Sequence, residues 1–130
     1  MDAHAIALAA AGIVGSFTAL VHGVLVQRLM VRPYERLALA EGRIGAPILR
    51  LVPLLLHFST VAWFLGDLAL VAAALWLGDG GRIAVGIGVG SLFAYGAICN
   101  FWGTRGRHPG WMLMTAALVL IVFGLAPWSG

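Results

Sequence analysis

Four long apolar stretches occupy most of this chain, at about 5–27, 48–77, 82–103 and 109–127. The hydrocarbon core of a bilayer is about 30 Å thick, and a helix crosses it with about 20 residues at about 1.5 Å per residue. Every backbone polar group inside lipid must be paired within the protein, which favours helices. The pattern predicts an all-α, polytopic integral membrane protein, with residues 1–130 forming one domain of four transmembrane helices.

Charge is scarce and unevenly placed. Charged residues make up 10% of the chain, against about 25% in soluble domains. A soluble four-helix bundle needs a polar stripe on every helix, and the first stretch carries no Asp, Glu, Lys or Arg between residues 5 and 27. The net charge of +3 lies beside the apolar stretches, so membrane lipids are the expected partner and nucleic acid is not.

The basic residues predict an orientation. All eight are arginine, and seven lie in or beside the connections between stretches one and two and between stretches three and four. Short loops rich in Lys and Arg stay in the cytoplasm, so both connections are predicted to be cytoplasmic, with both termini outside a bacterial inner (plasma) membrane. The 28–47 connection is predicted to be a cytoplasmic loop, either hydrated or forming a short helix on the membrane surface. The seven arginines are Arg28, Arg32, Arg36, Arg43, Arg50, Arg105 and Arg107.

Small residues four positions apart form ladders on two of the predicted spans. Gly15, Ala19 and Gly23 lie on the first span, and Gly86 and Gly90 lie on the third. Small residues allow helix backbones to approach closely in lipid. Spans one and three are therefore predicted to pack on each other or on a second copy of the chain.

Ionisable groups deep in a membrane are costly and are functional candidates by default. The candidates here are His22, His57 and Asp67. Counted from the flanking arginines, His22 and His57 lie about 9–10 Å inside the cytoplasmic boundary. Asn100, Cys99 and Met114 reach the same depth from the other two spans. Asn100 is preferred to Cys99 because it shares a helix face with Gly86.

Several chemistries are open to this layer, and the plainest is interhelical hydrogen bonding of the two histidines. His22 and His57 are also able to hold a b-type haem, to serve a quinone or proton site, or to bind a soft metal with Cys99 and Met114. The cofactor therefore stays unknown, with haem b as a minor alternative, and no metal is assigned.

Asp67 lies nearer the outer side than this layer, and three interpretations are open for it. They are a protonated, hydrogen-bonded carboxyl group, an aqueous pocket, and a proton or cation site. Arg105 and Arg107 form a compact basic turn that is predicted to contact anionic lipid.

No catalytic motif is present, and no enzymatic activity is predicted. The size and span count resemble those of small membrane families such as fluoride channels and multidrug exporters, but the first span lacks the glutamate of the exporters. The leading hypothesis is a transporter or channel subunit that acts as an oligomer. The alternatives are an accessory subunit of a larger membrane complex and a haem- or quinone-binding electron-transfer subunit.

Overall fold

The computed structural model describes residues 2–126, and these residues form helices and short connections without any strand. This architecture confirms the all-α fold. A five-residue π-turn, Gln27–Val31, joins the first two helices. The helices are α1 (Ala3–Val26), α2 (Arg32–Glu41), α3 (Ala46–Trp76), α4 (Asp79–Thr104) and α5 (Gly110–Leu125).

Three helical segments are long and apolar enough to cross a membrane: α1 with its continuation to Glu41, α3, and α4. The last helix, α5, is apolar but has only 16 residues, which gives a length of about 24 Å. Pro127, the predicted end of the fourth span, lies outside the described residues. Large apolar side chains cover the outer surface of the bundle. Phe17, Leu54 and Trp102 are 64%, 69% and 83% exposed, as expected for helices that face lipid.

Of the two forms predicted for the 28–47 connection, the structure contains the short helix, α2, and the chain stays helical from Ala3 as far as Glu41. In a regular helix the Pro33 ring would clash with the carbonyl group four residues before it, and the wider π-turn directly before α2 accommodates the proline. Gly42 adopts the left-handed conformation with φ +63° and ends α2. The turn to α3 is therefore confined to residues 42–45.

The helices are arranged around the bundle in the order α1, α3, α4, α5, and α5 closes the ring against α1. Helices α1 and α4, the first and third predicted spans, lie diagonally opposite each other, so their predicted direct packing is wrong. The alternative, packing on a second copy, stays a prediction. The largest fully buried apolar side chains of the core come from all four helices: Leu8, Leu70, Phe93, Met114 and Ile121.

Polar groups cap the helix ends away from the seven arginines. Asp2 accepts a 2.7 Å hydrogen bond from the Ala5 backbone N–H and caps α1. This bond, with a smaller contribution from Arg82, lowers the pKa of the Asp2 carboxyl below its ordinary value. The Arg82 guanidinium donates to the carbonyl groups of Ala73 and Ala74 at 3.4 and 3.1 Å. It thereby gives the Ala74 carbonyl in the last turn of α3 a donor, and it adds a second donor to the Ala73 carbonyl, which also accepts from the Leu77 N–H.

Candidate functional site

The most polar interior surface of the bundle is the contact between α1 and α3, called here the α1–α3 seam. The two helices run antiparallel and approach closely wherever α1 has a glycine. A Cβ atom at Gly12 would lie 2.6 Å from the backbone oxygen of Asp67, and one at Gly23 would lie 2.8 Å from the Thr60 Cγ2. The glycines of α1 therefore form notches that receive polar residues of α3.

Asp67 lies in one of these notches. Its side chain is completely buried, and a Cβ atom at Gly15 would overlap its carboxyl group. Neither carboxyl oxygen has a hydrogen-bond partner within residues 2–126. Burying an ionised carboxylate without a partner costs several kcal/mol, so the closed seam requires the neutral, protonated acid.

This environment separates the three sequence-based interpretations of Asp67. The side chain is not open to an aqueous pocket, and it is not a hydrogen-bonded carboxyl group within the described part of the chain. The structure shows an enclosed carboxyl group whose two oxygen atoms have no partner among the described residues. The third interpretation, a proton or cation site, stays a prediction.

His22 lies farther along the seam and contacts α3. Its Nε2 is 3.3 Å from the Ser59 hydroxyl, one of the interhelical partners expected for it. The imidazole also packs against Trp63, with the ring centroids 4.6 Å apart. Trp63 in turn fills the space beside Gly96, where a Cβ atom would lie 2.8 Å from the indole ring.

His57 occupies the end of the seam near the arginines. Its Nε2–H donates to the Gln27 Oε1 at 2.8 Å, which makes Gln27 a seam residue that the sequence reasoning missed. The available signal was spacing, since Gln27 follows Gly23 by four residues and continues the small-residue face of α1. The Thr60 hydroxyl oxygen, also in this region, is buried and has no partner among the residues described.

The arrangement does not favour a haem between the two histidines. Each imidazole has its Nε2 directed at a side chain of the opposite helix. The helices are also in direct contact at Gly23 and Thr60, which leaves no gap for a porphyrin. Within residues 2–126, no group of three or more His, Cys, Asp or Glu side chains is placed to hold a metal ion.

The remaining predicted members of the polar layer are dispersed. Met114 is buried beside Gly96, in the same layer as Trp63 and His22. Cys99 is exposed on the outside of α4. Asn100 lies near the start of α5, where a Cβ atom at Gly110 would be 3.2 Å from its Nδ2. Its Oδ1 is buried without a partner in the described structure, so Asn100 belongs to a second polar cluster outside the seam.

The glycine ladders work within the bundle rather than between α1 and α4. Gly15 and Gly23 contact α3, whereas a Cβ atom at Gly86 would lie 2.7 Å from Leu125 of α5. Gly90 also faces α5, and Ala19 is buried at 1% exposure.

The basic turn between α4 and α5 is tightly folded. Arg105 adopts a left-handed conformation with φ 52°, and it is the one non-glycine residue in the described range with positive φ. Its side chain and that of Arg107 are exposed. Their contact with anionic lipid stays a prediction.

Comparison with protein-family models, with curated proteins and with solved structures finds no significant match for this chain. The chemistry of the seam is therefore the basis on which a function is proposed.

Proposed function

We propose that this chain is a subunit of a small multi-pass transporter in a bacterial inner membrane, and that Asp67 binds and releases the transported proton or cation. The observation that carries the proposal is the completely buried Asp67 carboxyl group without a hydrogen-bond partner. A carboxyl group used only for packing gains stability when its polar atoms are satisfied. Unpaired carboxyl oxygens in an apolar bundle are more typical of a group whose occupancy changes during function.

In this proposal the polar residues of the seam give the transported proton or cation a route from Asp67 toward the arginines. Thr60 lies seven residues before Asp67 on α3, about 10 Å along the axis and nearly on the same face. His57 follows, hydrogen-bonded to Gln27. The polar residues Asp67, Thr60 and His57 thus descend the α1-facing side of α3.

Spaces at both ends of the bundle provide access in this proposal. One cavity of about 360 Å³ is lined by residues that include Asp2, Asp79 and Arg82. At the opposite end a groove of about 340 Å³ is lined by residues that include Thr60 and His57. Asp67 lies between them and is enclosed, so transport requires α1 and α3 to separate first on one side and then on the other.

An oligomer is part of the proposal because a bundle of four helices with this little internal space does not enclose a pore. The surface of α4 offers a contact for a second copy, since nothing lies within 4 Å of a Cβ atom built at Gly88 or Gly103. The mass of the complex in detergent, measured by light scattering, tests this part separately.

Flux measurements in proteoliposomes test the role of Asp67. We expect an imposed proton or monovalent cation gradient to dissipate through the wild-type protein, and Asp67→Asn to reduce the flux to that of empty vesicles. Glu41→Gln is the matched control, because it removes a carboxyl group from an exposed residue that lines neither of the two spaces, and it should retain flux. Flux through Asp67→Asn equal to wild type, or no flux through a folded wild-type protein, would overturn the proposal.

An accessory subunit of a larger membrane complex is the second candidate. The observation that favours it is the pairing of His22 with Ser59 and of His57 with Gln27, since paired interhelical groups also serve as plain structural contacts. This candidate predicts that Asp67→Asn changes neither flux nor assembly. It also predicts that a defined larger partner co-purifies from the native membrane.

A further inference from the structure

The groove at the end of the seam near the arginines has a polarity gradient along its length. Its wall toward the membrane centre is formed by Leu20 and Val24, and its other end is formed by Arg28 and Arg32. Leu20 and Val24 are 58% and 52% exposed. Eight residues separate Leu20 from Arg28, a rise of about 12 Å along the helix. The groove therefore presents apolar surface at one end and two cations at the other.

No carboxylate of residues 2–126 lies within 4.0 Å of these two guanidinium groups. The one ion pair within residues 2–126 joins Arg82 and Asp2 at the opposite end of the bundle. Arg28 and Arg32 are one turn apart, and both side chains are exposed at the groove. Two guanidinium groups on one side of a helix form a strong site for a phosphate group, because each presents a planar fork of N–H donors.

The floor of the groove adds hydrogen-bonding capacity. Thr60 lines the groove, and its hydroxyl oxygen has no partner in the described part of the chain. His57 is held in place by its bond to Gln27, which leaves Nδ1 free of protein hydrogen bonds in that same part. An anion with several oxygen atoms would complement the two arginines and the Thr60 hydroxyl, whereas the neutral His57 Nδ1 is a hydrogen-bond acceptor and does not bind an anion.

We infer that this groove binds an anionic phospholipid, with its phosphate at Arg28 and Arg32 and an acyl chain along Leu20 and Val24. Charge complementarity selects the anionic headgroup, and the adjoining apolar wall selects a ligand that carries a hydrocarbon chain. A free phosphate compound shares the headgroup chemistry but makes no use of Leu20 and Val24. The inference does not depend on transport by Asp67.

The test is the affinity of the purified protein for phosphatidylglycerol, measured by native mass spectrometry from detergent with phosphatidylcholine as the uncharged reference. The double substitution Arg28→Ala/Arg32→Ala should weaken phosphatidylglycerol binding about thirtyfold, since each arginine near a membrane surface contributes about a factor of five. Arg43→Ala/Arg50→Ala is the matched control, because it removes two exposed arginines at the same end of the bundle that do not line the groove. Equal losses in the two variants would indicate diffuse surface charge and overturn the inference, as would no loss in either.

Two further arms separate the sources of the phosphate. Val24→Trp fills the apolar wall and keeps both arginines, so it should lower phosphatidylglycerol affinity if an acyl chain lies there. Glycerol phosphate, which has the headgroup without the chain, should compete poorly at millimolar concentration. Strong competition by glycerol phosphate, or full affinity in Val24→Trp, would overturn the assignment to a lipid. Asp67→Asn should leave lipid affinity unchanged, so failure of either proposal is recognisable on its own.

Discussion

Glycine residues allow close helix packing in both the α1–α3 seam and the α4–α5 interface, but the side chains that they receive differ. In α4–α5, Gly86 and Gly90 receive Leu125, Leu118 and Ile121, and this part of the contact is apolar, with the polar Asn100 lying only at its Gly110 end. In the seam, Gly15 and Gly23 receive Asp67 and Thr60, and the contact encloses polar atoms without partners. Close backbone approach is therefore a general property of the bundle, whereas an unsatisfied carboxyl group in a glycine notch is particular to the seam.

Among substitutions that test this comparison, the largest loss of stability is expected at Gly12. In Gly12→Ala the new methyl group meets the backbone oxygen of Asp67 at 2.6 Å, so the two helices must move apart. We expect a loss of about 3 kcal/mol, the upper end for overpacking, measured by reversible unfolding in mixed detergent micelles. Gly90→Ala in α4–α5 is the control, because its new atom would lie 3.5 Å from Ile121, an ordinary contact. Equal destabilisation of the two variants would contradict the comparison.

A smaller and more specific effect is expected at Gly15. The methyl group of Gly15→Ala displaces the Asp67 carboxyl group rather than backbone, and a loss of about 1–2 kcal/mol is expected. Replacing the carboxyl group as well, in Gly15→Ala/Asp67→Ala, should recover about 1 kcal/mol of that loss, the usual size of coupling between residues in contact. Unfolding of the four proteins of this double-mutant cycle gives the coupling. Strict additivity would show that the notch does not hold the acid.

The hydrogen bonds of His57 and His22 allow a comparison of two contacts within the seam itself. His57 donates to Gln27 at 2.8 Å, whereas His22 is 3.3 Å from Ser59. A double-mutant cycle with alanine at His57 and Gln27 should give a coupling of about 0.6 kcal/mol, typical of hydrogen bonds between membrane helices. The same cycle at His22 and Ser59 should give less. A reversed order would mean that packing on Trp63, not hydrogen-bond length, decides the strength.

The smallest expected effect is a loss of stability at low pH through Asp2, which lies outside both interfaces at the end of the bundle away from the seven arginines. Because the Asp2 pKa is lowered in the folded state, its contribution to stability is present above its unfolded pKa. That contribution is lost as the pH falls through the lower folded value. The melting temperature of the wild-type protein should therefore drop on acidification below the ordinary aspartate value of 3.8. Asp2→Asn should make the melting temperature less dependent on pH in this range. An unchanged slope would show that the Asp2 cap does not cause the loss of stability.

Much of the helical architecture follows from the sequence, but the neighbour relations do not. Apolar length predicts four spans, of which three are long enough in the structure to cross a bilayer and the fourth, α5, has 16 residues. The spacing of Gly15, Ala19 and Gly23 identifies the packed face of α1. The periodicity of one helix carries no information on which helix lies opposite. Packing of α1 on α4 was therefore one of two predicted arrangements, and the structure has α3 in that place. For 28–47 the sequence leaves a hydrated loop and a short helix open, because polar residues mark a connection without showing where the helix ends. In the structure the helix ends at Gly42.

The sequence also predicts some of the residues of the seam. His22, His57 and Asp67 were marked by the cost of ionisable groups in lipid, and depth placed Met114 with His22. Depth alone does not show which side of a helix a residue occupies relative to its neighbours. Cys99 and Asn100 therefore lie apart from the seam, whereas Gln27 belongs to it.

The π-turn at Gln27–Val31 has a consequence for how the chain tolerates length changes. A π-turn holds one residue more than a regular turn, and that surplus residue sets the rotational phase of everything that follows. Removing it would turn α2 by about 100° about its own axis. Ala38, now 3% exposed, would then swing outward. Deleting one residue from this segment would therefore rotate the ten residues of α2 about the helix axis rather than only shorten the chain.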